Sequence, residues 1–465
     1  MNDKPVPRGY GGALLDRFMA WSNGLPPETC NYTVTPVKIP LEGEEDVELL
    51  ADLYQPVTKD NEPAAGTILV QCIYGRNLLL ALTLRPFPSR GYNVLLVSTR
   101  GTFGSGGKSD PARTDRADGP RVIGIKKSVP LLDAAKAQLG DKASWLYEWM
   151  TRPGWDTDDF YEPMKQYKAL ETTKAAILLP TGWQDLFIND TLGQYQRLSE
   201  RGCTVAMTVG PWNHLQAGGG TGVMKETLDW LDKYLAKRTA GDIRPAPVRI
   251  NVTGANEWRW LPSWPPATKP LELYLDSQGR LGRKEPEKTD ESSFTFDPHD
   301  PTPTLGGNLL FGGGVANDTA LAKRSDVLTF TTAPLDHDIE FLGKPRIELT
   351  HSSKNSHVDL FVRLSEVNAK GVSHNITEVY KRLDPNRAPA GQPVKIELNM
   401  TDSAHRFKEG TAIRVIVAGA NFPHYSYNLG SGESQATGTT LKPATHTVHL
   451  GINSGSRLVL PVSLE

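Results

Sequence analysis

Two kinds of apolar pattern divide the chain, and this division restricts the fold more than any other feature of the sequence. In the first half, short uninterrupted apolar runs alternate with amphipathic stretches, whereas short strand-like segments follow one another from about residue 247 onward. Uninterrupted runs are typical of strands covered on both faces of a parallel sheet. Closely spaced segments with period-two alternation are typical of an antiparallel sandwich. We therefore expect an α/β domain followed by an all-β domain.

The first half contains five strand candidates and one clear helical pattern. The strand candidates are residues 47–54, 66–72, 92–97, 175–179 and 204–209. Residues 191–201 have a helical pattern and lie between the last two strand candidates. The sequence therefore predicts a β-α-β unit, which implies two parallel strands joined by a right-handed crossover.

The second half reads as a series of short strands with few helical stretches between them. Period-two alternation is clearest in residues 358–364, and the segment 247–254 is counted as the first strand of the series. The transition follows a helical stretch at residues 227–237. We therefore predict one domain at residues 1–240 and a β-sandwich of the jelly-roll type at residues 241–465.

Charge and cysteine usage exclude several classes of partner. The chain has 465 residues and a formal net charge of -2, so no overall field would draw it to nucleic acid or to an anionic membrane. Its longest apolar stretches are shorter than a bilayer span, and its first residues lack a signal-peptide pattern. Its three cysteines, Cys30, Cys72 and Cys203, have neither disulfide-framework nor metal-ligand spacing. The sequence predicts a cytoplasmic protein without a metal or cofactor.

Histidine placement singles out one candidate for acid–base chemistry in the α/β half. The chain has ten histidines, and of these only His214 precedes His299. His214 follows the strand candidate 204–209, and open α/β sheets place their sites at the carboxyl ends of such strands. An imidazole there could serve as a general base at neutral pH. An ordinary solvated or capping loop histidine is the alternative.

Asp185 has the same kind of position after the preceding strand candidate. Adjacent parallel strands end close together, so an acid from one strand can hydrogen-bond to a histidine from the next. The order acid-then-histidine matches that of a hydrolase triad, in which the acid fixes the imidazole tautomer. Two alternatives stay open at this point. Asp185 could have no role other than to cap a helix that begins near residue 186. Asp190, rather than Asp185, could be the acid that partners His214.

Three further positions near the strand ends attract notice. Tyr74 lies just past the strand candidate 66–72, where a phenol could donate to an oxyanion, although a packed loop aromatic is the commoner role. Cys72 lies on that run and is expected to be buried and unreactive. The glycine-rich residues 100–108 match neither the phosphate-loop spacing G-x-x-x-x-G-K-[ST] nor the dinucleotide-binding spacing G-x-G-x-x-G. They predict a tight turn instead.

Taken in chain order, the motifs resemble those of the CocE/NonD hydrolases, whose relatives include Xaa-Pro dipeptidyl-peptidases and α-amino-acid ester hydrolases. In the first half these motifs are residues 74–75, 100–107, 182–185 and 210–214. In the second half, residues 254–266, 297–307 and 421–433 are also similar to the family. The resemblance thus covers nearly the whole chain in order.

The resemblance implies a function and roles for three residues. Members of the family cleave esters and amides through an acyl-enzyme, with a helical cap over the site. By resemblance, Asp185 is the triad acid, His214 the general base and Tyr74 an oxyanion-hole donor. The resemblance also implies a remnant of the cap at about residues 126–165. The C-terminal domain resembles a jelly roll of the galactose-binding type.

One motif of the family is missing from the sequence. The family's nucleophilic serine stands on an elbow of strand, sharp turn and helix, placed between the residue 100–107 motif and the cap. No Gly-x-Ser-x-Gly occurs in the chain. We therefore expect the elbow, its central strand and the early cap to be absent near residues 120–121, with residues 122–125 as a short replacement strand. Ser105 and Ser128 are the serines nearest to the gap, and neither has elbow context.

Three functions stay open on this sequence. The first is hydrolysis of a small-molecule ester or amide. In that case the sequence would be incomplete, for example because an exon was skipped, and this would account for the missing serine. The second is a pseudo-hydrolase without its nucleophile, which binds a small molecule or performs base catalysis. The third is a non-enzymatic binding or scaffold protein that uses the β-sandwich. The oligomeric state, including a homo-oligomer, is also open.

Overall fold

The computed structural model describes the chain except for residues 1–3, 42–46, 60–61, 74, 77, 108–128, 141–143, 153, 155–156, 166, 221 and 465. The chain forms two compact units, of which the first contains residues 1–118 and 218–245 and the second contains residues 119–217 and 246–465. The predicted domain boundary at residue 240 and the limits of the cap stay predictions. None of the described helices has the length and apolar character that a bilayer span requires.

The helices of the described residues lie mainly in the first half of the chain. In chain order they are α1 (Tyr10–Ser22), α2 (Leu78–Leu84), α3 (Leu131–Leu139), α4 (Ser144–Thr151), α5 (Tyr167–Thr172), α6 (Ile188–Glu200), α7 (His214–Ala217) and α8 (Val223–Tyr234). Helices α3 and α4 fall within the region predicted as the cap remnant. Residues 108–128, where the sequence predicts the missing elbow and its replacement strand, lie outside the described residues.

The first unit contains a five-stranded mixed sheet in the order β1-β2-β3-β5-β4. Its strands are β1 (Val6–Pro7), β2 (Asn31–Pro40), β3 (Glu48–Val57), β4 (Thr67–Cys72) and β5 (Asn93–Ser98). Strands β4 and β5 are parallel, with α2 in the connection between them. Three strand predictions in this half are therefore confirmed. The neighbours Leu96 and Val97 of β5 point to opposite faces and are both buried, as expected for an uninterrupted apolar run covered on both faces.

The glycine-rich stretch after β5 forms a tight turn, as predicted. Gly101, Gly104 and Gly107 have φ angles of 68°, 89° and 80°, a region that costs glycine little. The turn is held by Ser105, whose hydroxyl donates to the Ser98 carbonyl at 2.9 Å and accepts from the Leu50 N–H at 2.9 Å. Ser105 is buried and both hydrogen-bonding functions of its hydroxyl are used, so its role is to fix this turn.

The second unit begins with a four-stranded sheet in the order β6-β7-β8-β9. The strands are β6 (Ile177–Gln184), β7 (Val205–Asn213), β8 (Val248–Val252) and β9 (Glu257–Leu261). The first three are parallel, and α6 connects β6 to β7. The predicted β-α-β unit is thus confirmed. Its strands lie over a core that includes Met207, Val209 and Ile250, all fully buried.

One strand assignment from the sequence was wrong. Residues 247–254 were counted with the sandwich, but β8 pairs in parallel with β7 and therefore extends the α/β sheet. Its alternating residues Val248, Ile250 and Val252 look like a sandwich strand in the sequence. All three are fully buried, and the intervening Asn251 is buried as well, so both faces of β8 are covered. Alternation over five residues does not distinguish the two kinds of strand.

The rest of the second unit is an antiparallel β-sandwich. One sheet has four strands in the order β13-β20-β16-β17, and the other has nine strands. The strands are β10 (Thr268–Leu275), β11 (Leu281–Gly282), β12 (Asp290–Phe296), β13 (Val327–Thr331), β14 (Ile339–Gly343), β15 (Arg346–Ser353), β16 (Asp359–Val367), β17 (Ser373–Arg382), β18 (Val394–Asn399), β19 (Ser403–Phe407), β20 (Ala412–Ala418), β21 (Ala444–Leu450) and β22 (Arg457–Ser463). The two sheets enclose one large apolar core, as the alternation predicts.

The sandwich also buries a pair of histidines. His351 on β15 and His446 on β21 are 1% and 0% exposed, and Nε2 of His351 lies 3.0 Å from Nδ1 of His446. The His446 ring stacks on Phe294 at a centroid distance of 4.6 Å. Burial lowers the pKa of His351 to about 4 and lowers that of His446 well below its ordinary value. Both rings are therefore neutral at pH 7, and one can donate to the other.

This pair is expected to make the sandwich sensitive to acid. The unfolded chain takes up a proton on each histidine near pH 6.5, whereas folded His351 does so only near pH 4. The free energy of unfolding should therefore fall as pH drops from 6.5 to 4, by about 3 kcal/mol for His351 alone. Urea denaturation across this range measures the slope. His351→Gln should reduce the slope, while the exposed His299→Gln should not; equal slopes in both variants would contradict the assignment.

Candidate active site

Asp185 and His214 lie side by side at the carboxyl ends of β6 and β7. The two strands are parallel neighbours in which Gln184 pairs with Asn213, so the next residue of each strand emerges at the same edge. Nδ1 of His214 lies 3.0 Å from Oδ1 of Asp185. Asp185 is 5% exposed, whereas the His214 side chain is 19% exposed. The proximity expected from the sequence is therefore found in the structure.

The Asp185 carboxylate has two further partners that fix its orientation. Its Oδ1 accepts from the Phe187 N–H at 3.0 Å, and its Oδ2 accepts from the Thr181 hydroxyl at 3.3 Å. The first contact is an Asx turn that precedes α6. The N-cap of this helix is Phe187 and has no side-chain cap, so Asp185 does not cap the helix as the alternative expected. Asp190 is exposed in the first turn of α6. The structure therefore pairs His214 with Asp185.

This geometry sets the tautomer of His214. A carboxylate only accepts hydrogen bonds, so the hydrogen of the neutral imidazole is on Nδ1 and Nε2 is left as a proton acceptor. Within the described part of the chain, no hydrogen bond occupies Nε2 of His214. The Phe187 ring meets the imidazole edge-on at a centroid distance of 5.2 Å. The pair thus has the geometry of a general base and its orienting acid.

The sandwich reaches this edge of the sheet through a glycine-rich loop, residues 306–315. The Asn213 side chain, next to His214, donates to the Gly313 carbonyl at 3.5 Å. Asn375 of β17 accepts from the Ala316 N–H at 2.6 Å and donates to the Gly314 carbonyl at 3.2 Å. Gln184, next to Asp185, donates to the Ile376 carbonyl at 2.6 Å. The residues adjacent to both members of the pair are therefore hydrogen-bonded to the sandwich.

Sequence reasoning missed Gln184 and Asn375 as supports of the site. They are 191 residues apart, and an amide side chain carries no local signal of a distant partner. The run of glycines at 312–314 is the one sequence feature that could have indicated close backbone packing there. Tyr74 and Ser128, which the sequence analysis also names, lie outside the described residues.

A cavity of about 360 Å³ opens at the same end of the parallel strands. It lies between β6–β8 and the sandwich strands β16, β17 and β19. Its wall combines apolar side chains with histidine, glutamate and amide groups. The lining residues are Trp183, Gln184, Pro211, Thr253, Gly254, Val315, Glu366, His374, Asn375, Ile376, Ser403 and His405. Its size falls within the range of small-molecule sites.

Two family models match this chain and together cover most of it. Residues 43–124 and 126–216 match the X-Pro dipeptidyl-peptidase (S15 family). Residues 242–459 match the X-Pro dipeptidyl-peptidase C-terminal non-catalytic domain. A cocaine esterase from Rhodococcus sp. (strain MB1 Bresler) is 25% identical over 398 residues, which cover 76% of this chain and 69% of the esterase. The chain spans about half the length of two mycobacterial relatives, at 48% of each.

Solved structures share the fold over nearly the whole chain. An aminopeptidase from a marine sediment Thaumarchaeota archaeon has a TM-score of 0.78 at 18% identity, covering 94% of this chain and 97% of that one. An α-amino acid ester hydrolase has a TM-score of 0.76 at 17% identity, covering 94% and 98%. The predicted fold class, an α/β-hydrolase-type domain followed by a β-rich C-terminal region, is thereby confirmed.

Proposed function

We propose that this chain, which belongs to the CocE/NonD and X-Pro dipeptidyl-peptidase family of hydrolases, cleaves a small-molecule ester or amide with His214 as general base. The observation that carries the proposal is the 3.0 Å contact between His214 and Asp185 at neighbouring strand ends. The cocaine esterase named above is an ester hydrolase by its name, which supports an ester substrate.

In the proposed reaction, Nε2 of His214 takes the proton of the attacking oxygen as that oxygen bonds to the acyl carbon. The same proton then passes to the leaving alcohol or amine as the acyl bond breaks. Asp185 keeps the imidazole in its tautomer and stabilises the imidazolium that forms. The family resemblance gives Tyr74 the role of donor to the oxyanion, and this role stays a prediction.

A second candidate function is a pseudo-hydrolase that binds its small molecule without turnover. It is favoured by the absence of Gly-x-Ser-x-Gly from the 465 residues, because this motif presents the serine of the hydrolase elbow. The two candidates differ in a direct assay of the purified chain with p-nitrophenyl acetate and an Xaa-Pro p-nitroanilide. Turnover that depends on His214 supports hydrolysis. Complete lack of turnover by the folded chain supports the pseudo-hydrolase.

Labelling with a fluorophosphonate separates two forms of the proposed hydrolysis. Covalent labelling together with turnover indicates a serine nucleophile. Turnover without labelling indicates that His214 activates water directly. The labelled or unlabelled chain is read by intact mass.

Asp185→Asn is expected to lower kcat by about 10³- to 10⁴-fold, because an amide can hold the imidazole in the wrong tautomer. Asp190→Asn is the matched control, since Asp190 is an exposed acid on α6 that makes no described contact with His214. Steady-state kinetics on p-nitrophenyl acetate compare the two variants. Equal kcat values in Asp185→Asn and the unmodified chain would remove Asp185 from the proposed mechanism.

A further inference from the structure

A carboxylate–imidazole–hydroxyl series, separate from the Asp185–His214 pair, lines the cavity between the α/β sheet and the sandwich. The Thr253 Oγ1 lies 2.9 Å from Nδ1 of His405, and Nε2 of His405 lies 3.1 Å from Oε2 of Glu366. All three residues line the cavity of about 360 Å³. His405 is 5% exposed, while Thr253 and Glu366 are half-buried. The hydroxyl and the carboxylate therefore meet the two opposite nitrogens of a buried ring.

The carboxylate decides which nitrogen of His405 carries the hydrogen. Burial would raise the pKa of Glu366, but its hydrogen bond to His405 holds that pKa below the ordinary value. An ionised carboxylate requires a hydrogen on Nε2, and a neutral imidazole has only one. Nδ1 is therefore an acceptor that faces the Thr253 hydroxyl. The same hydroxyl donates to the Ala404 carbonyl at 2.8 Å, and this oxygen also accepts the Thr253 N–H at 2.9 Å, so the hydroxyl hydrogen is shared between Nδ1 and the carbonyl.

The backbone around Thr253 explains why these residues meet. Thr253 directly follows β8, and it forms an isolated parallel bridge with His405 of β19. The Arg406 N–H donates to the Thr253 carbonyl at 2.9 Å, so the bridge is held from both sides. Gly254 follows with a φ of 78°, and a Cβ there would lie 2.2 Å from the Arg406 carbonyl oxygen. Only glycine allows so close a passage of the two chains.

The cavity offers space for a small substrate beside the Thr253 hydroxyl. Its apolar walls include Trp183, Val315 and Ile376, which suit a short acyl chain. Thr253 stands at the carboxyl end of a parallel strand, the position at which α/β sheets place reactive groups. Within the described part of the chain the Gly254 N–H donates no hydrogen bond. An N–H directly after a nucleophile is a common oxyanion donor.

We propose that Thr253, His405 and Glu366 form a second acyl-transfer centre, which hydrolyses small esters of short-chain acids. The Thr253 oxygen bonds to the acyl carbon while its proton moves to Nδ1 of His405. The bond from the acyl carbon to the alcohol oxygen then breaks, and the alcohol leaves with that proton. Glu366 stabilises the imidazolium. Water attacks the acyl-threonine by the same proton path and releases the carboxylic acid.

The test uses the full chain with His214→Ala, which removes the base of the proposed hydrolase reaction and leaves the second centre intact. This variant is incubated with p-nitrophenyl acetate, and peptides are mapped for an acetyl group. We expect acetylation of Thr253 and a residual hydrolysis rate that falls about 10²-fold on adding Thr253→Val. Thr377→Val is the matched control, because the Thr377 hydroxyl also donates to a backbone carbonyl, at 2.6 Å, but has no hydrogen bond to a histidine among the described residues.

Circular dichroism and the thermal midpoint establish that each variant is folded. If Thr253→Val does not fold, Glu366→Gln in the same background replaces it, and we expect a similar loss because the tautomer of His405 is released. Lack of acetyl on Thr253 in the folded His214→Ala chain would overturn the proposal. Equal residual rates with and without Thr253→Val would do so too. Neither result bears on Asp185 and His214, so the two proposals fail separately.

Discussion

His214→Ala is expected to lower kcat/KM for a small ester by at least about 10³-fold while the protein stays folded. The imidazole is the proposed proton acceptor, and without it Asp185 has no ring to orient. The side chain is 19% exposed and its ring meets the Phe187 ring edge-on. The measurement is steady-state hydrolysis of p-nitrophenyl acetate alongside a thermal melt of the same sample.

The chain offers a matched control for this variant in His299. Its Nδ1 lies 2.9 Å from Oδ1 of Asp297, so it is also an aspartate-paired histidine, but its side chain is 66% exposed. His299→Ala should leave both kcat/KM and the thermal midpoint unchanged. Turnover in His214→Ala that matches the unmodified chain would reject His214 as the base. A slow remainder that disappears on adding Thr253→Val is the rate expected of the second centre.

Arg363→Met is expected to lower the free energy of unfolding by about 3–5 kcal/mol, which is the typical cost of removing one member of a buried ion pair. Arg363 on β16 is fully buried and donates to Oε2 of Glu378 from Nε at 2.9 Å and from Nη2 at 2.6 Å. Its Nη1 lies 3.7 Å from the equally buried Asp318. Without the guanidinium, the buried carboxylates of Glu378 and Asp318 lose the positive charge that pairs with both of them. Urea denaturation followed by tryptophan fluorescence gives the loss directly.

The same variant has a pH signature that separates lost charge from lost packing. Burial would raise the pKa of Glu378, but the charge of Arg363 holds it below the ordinary value. In Arg363→Met this charge is lost and His424 still opposes the effect of burial, so the folded-state pKa of Glu378 rises relative to the unmodified chain. The destabilisation should then be smaller at pH 5 than at pH 7, because folded protein now binds the proton more readily.

Arg387→Met is the control for Arg363, because Arg387 is 90% exposed and lies 3.7 Å from Asp384 in a surface pair. Its free energy of unfolding should stay within about 0.5 kcal/mol of the unmodified chain. A loss of similar size in both variants, or one in Arg363→Met that is independent of pH, would show that packing accounts for the effect.

Sequence alone was enough to predict the Asp185–His214 pair, because the inference needed only two neighbouring strands and the rule that parallel strands end together. Each strand is visible as an apolar run, and α6 between them has a helical pattern. The misassigned strand β8 shows the limit of this method. Five alternating residues look the same at the end of a parallel sheet and in a sandwich, and only pairing with β7 decides between them.

The second series could not be predicted from the sequence. Thr253, Glu366 and His405 come from strand ends and strands widely separated along the chain, and each follows an ordinary local pattern. Their meeting depends on the contact of β8 with β19 and on the reach of His405 from β19 to Glu366 on β16. Gly254 in the sequence indicates a close approach of another backbone segment, but it does not identify the strand that approaches.

The hydrogen bonds from Gln184 to Ile376 and from Asn213 to Gly313 affect whether the C-terminal region can be exchanged between related proteins. The C-terminal region matches a family model described as a non-catalytic domain, yet its loop and strand backbone accept hydrogen bonds from the residues next to the proposed acid and base. A chimera that takes this region from a relative would have different hydrogen-bond partners at these positions. For such a chimera to succeed, all the positions that take part in these hydrogen bonds should have to be exchanged together. These are residues 184, 213, 306–316 and 375–376.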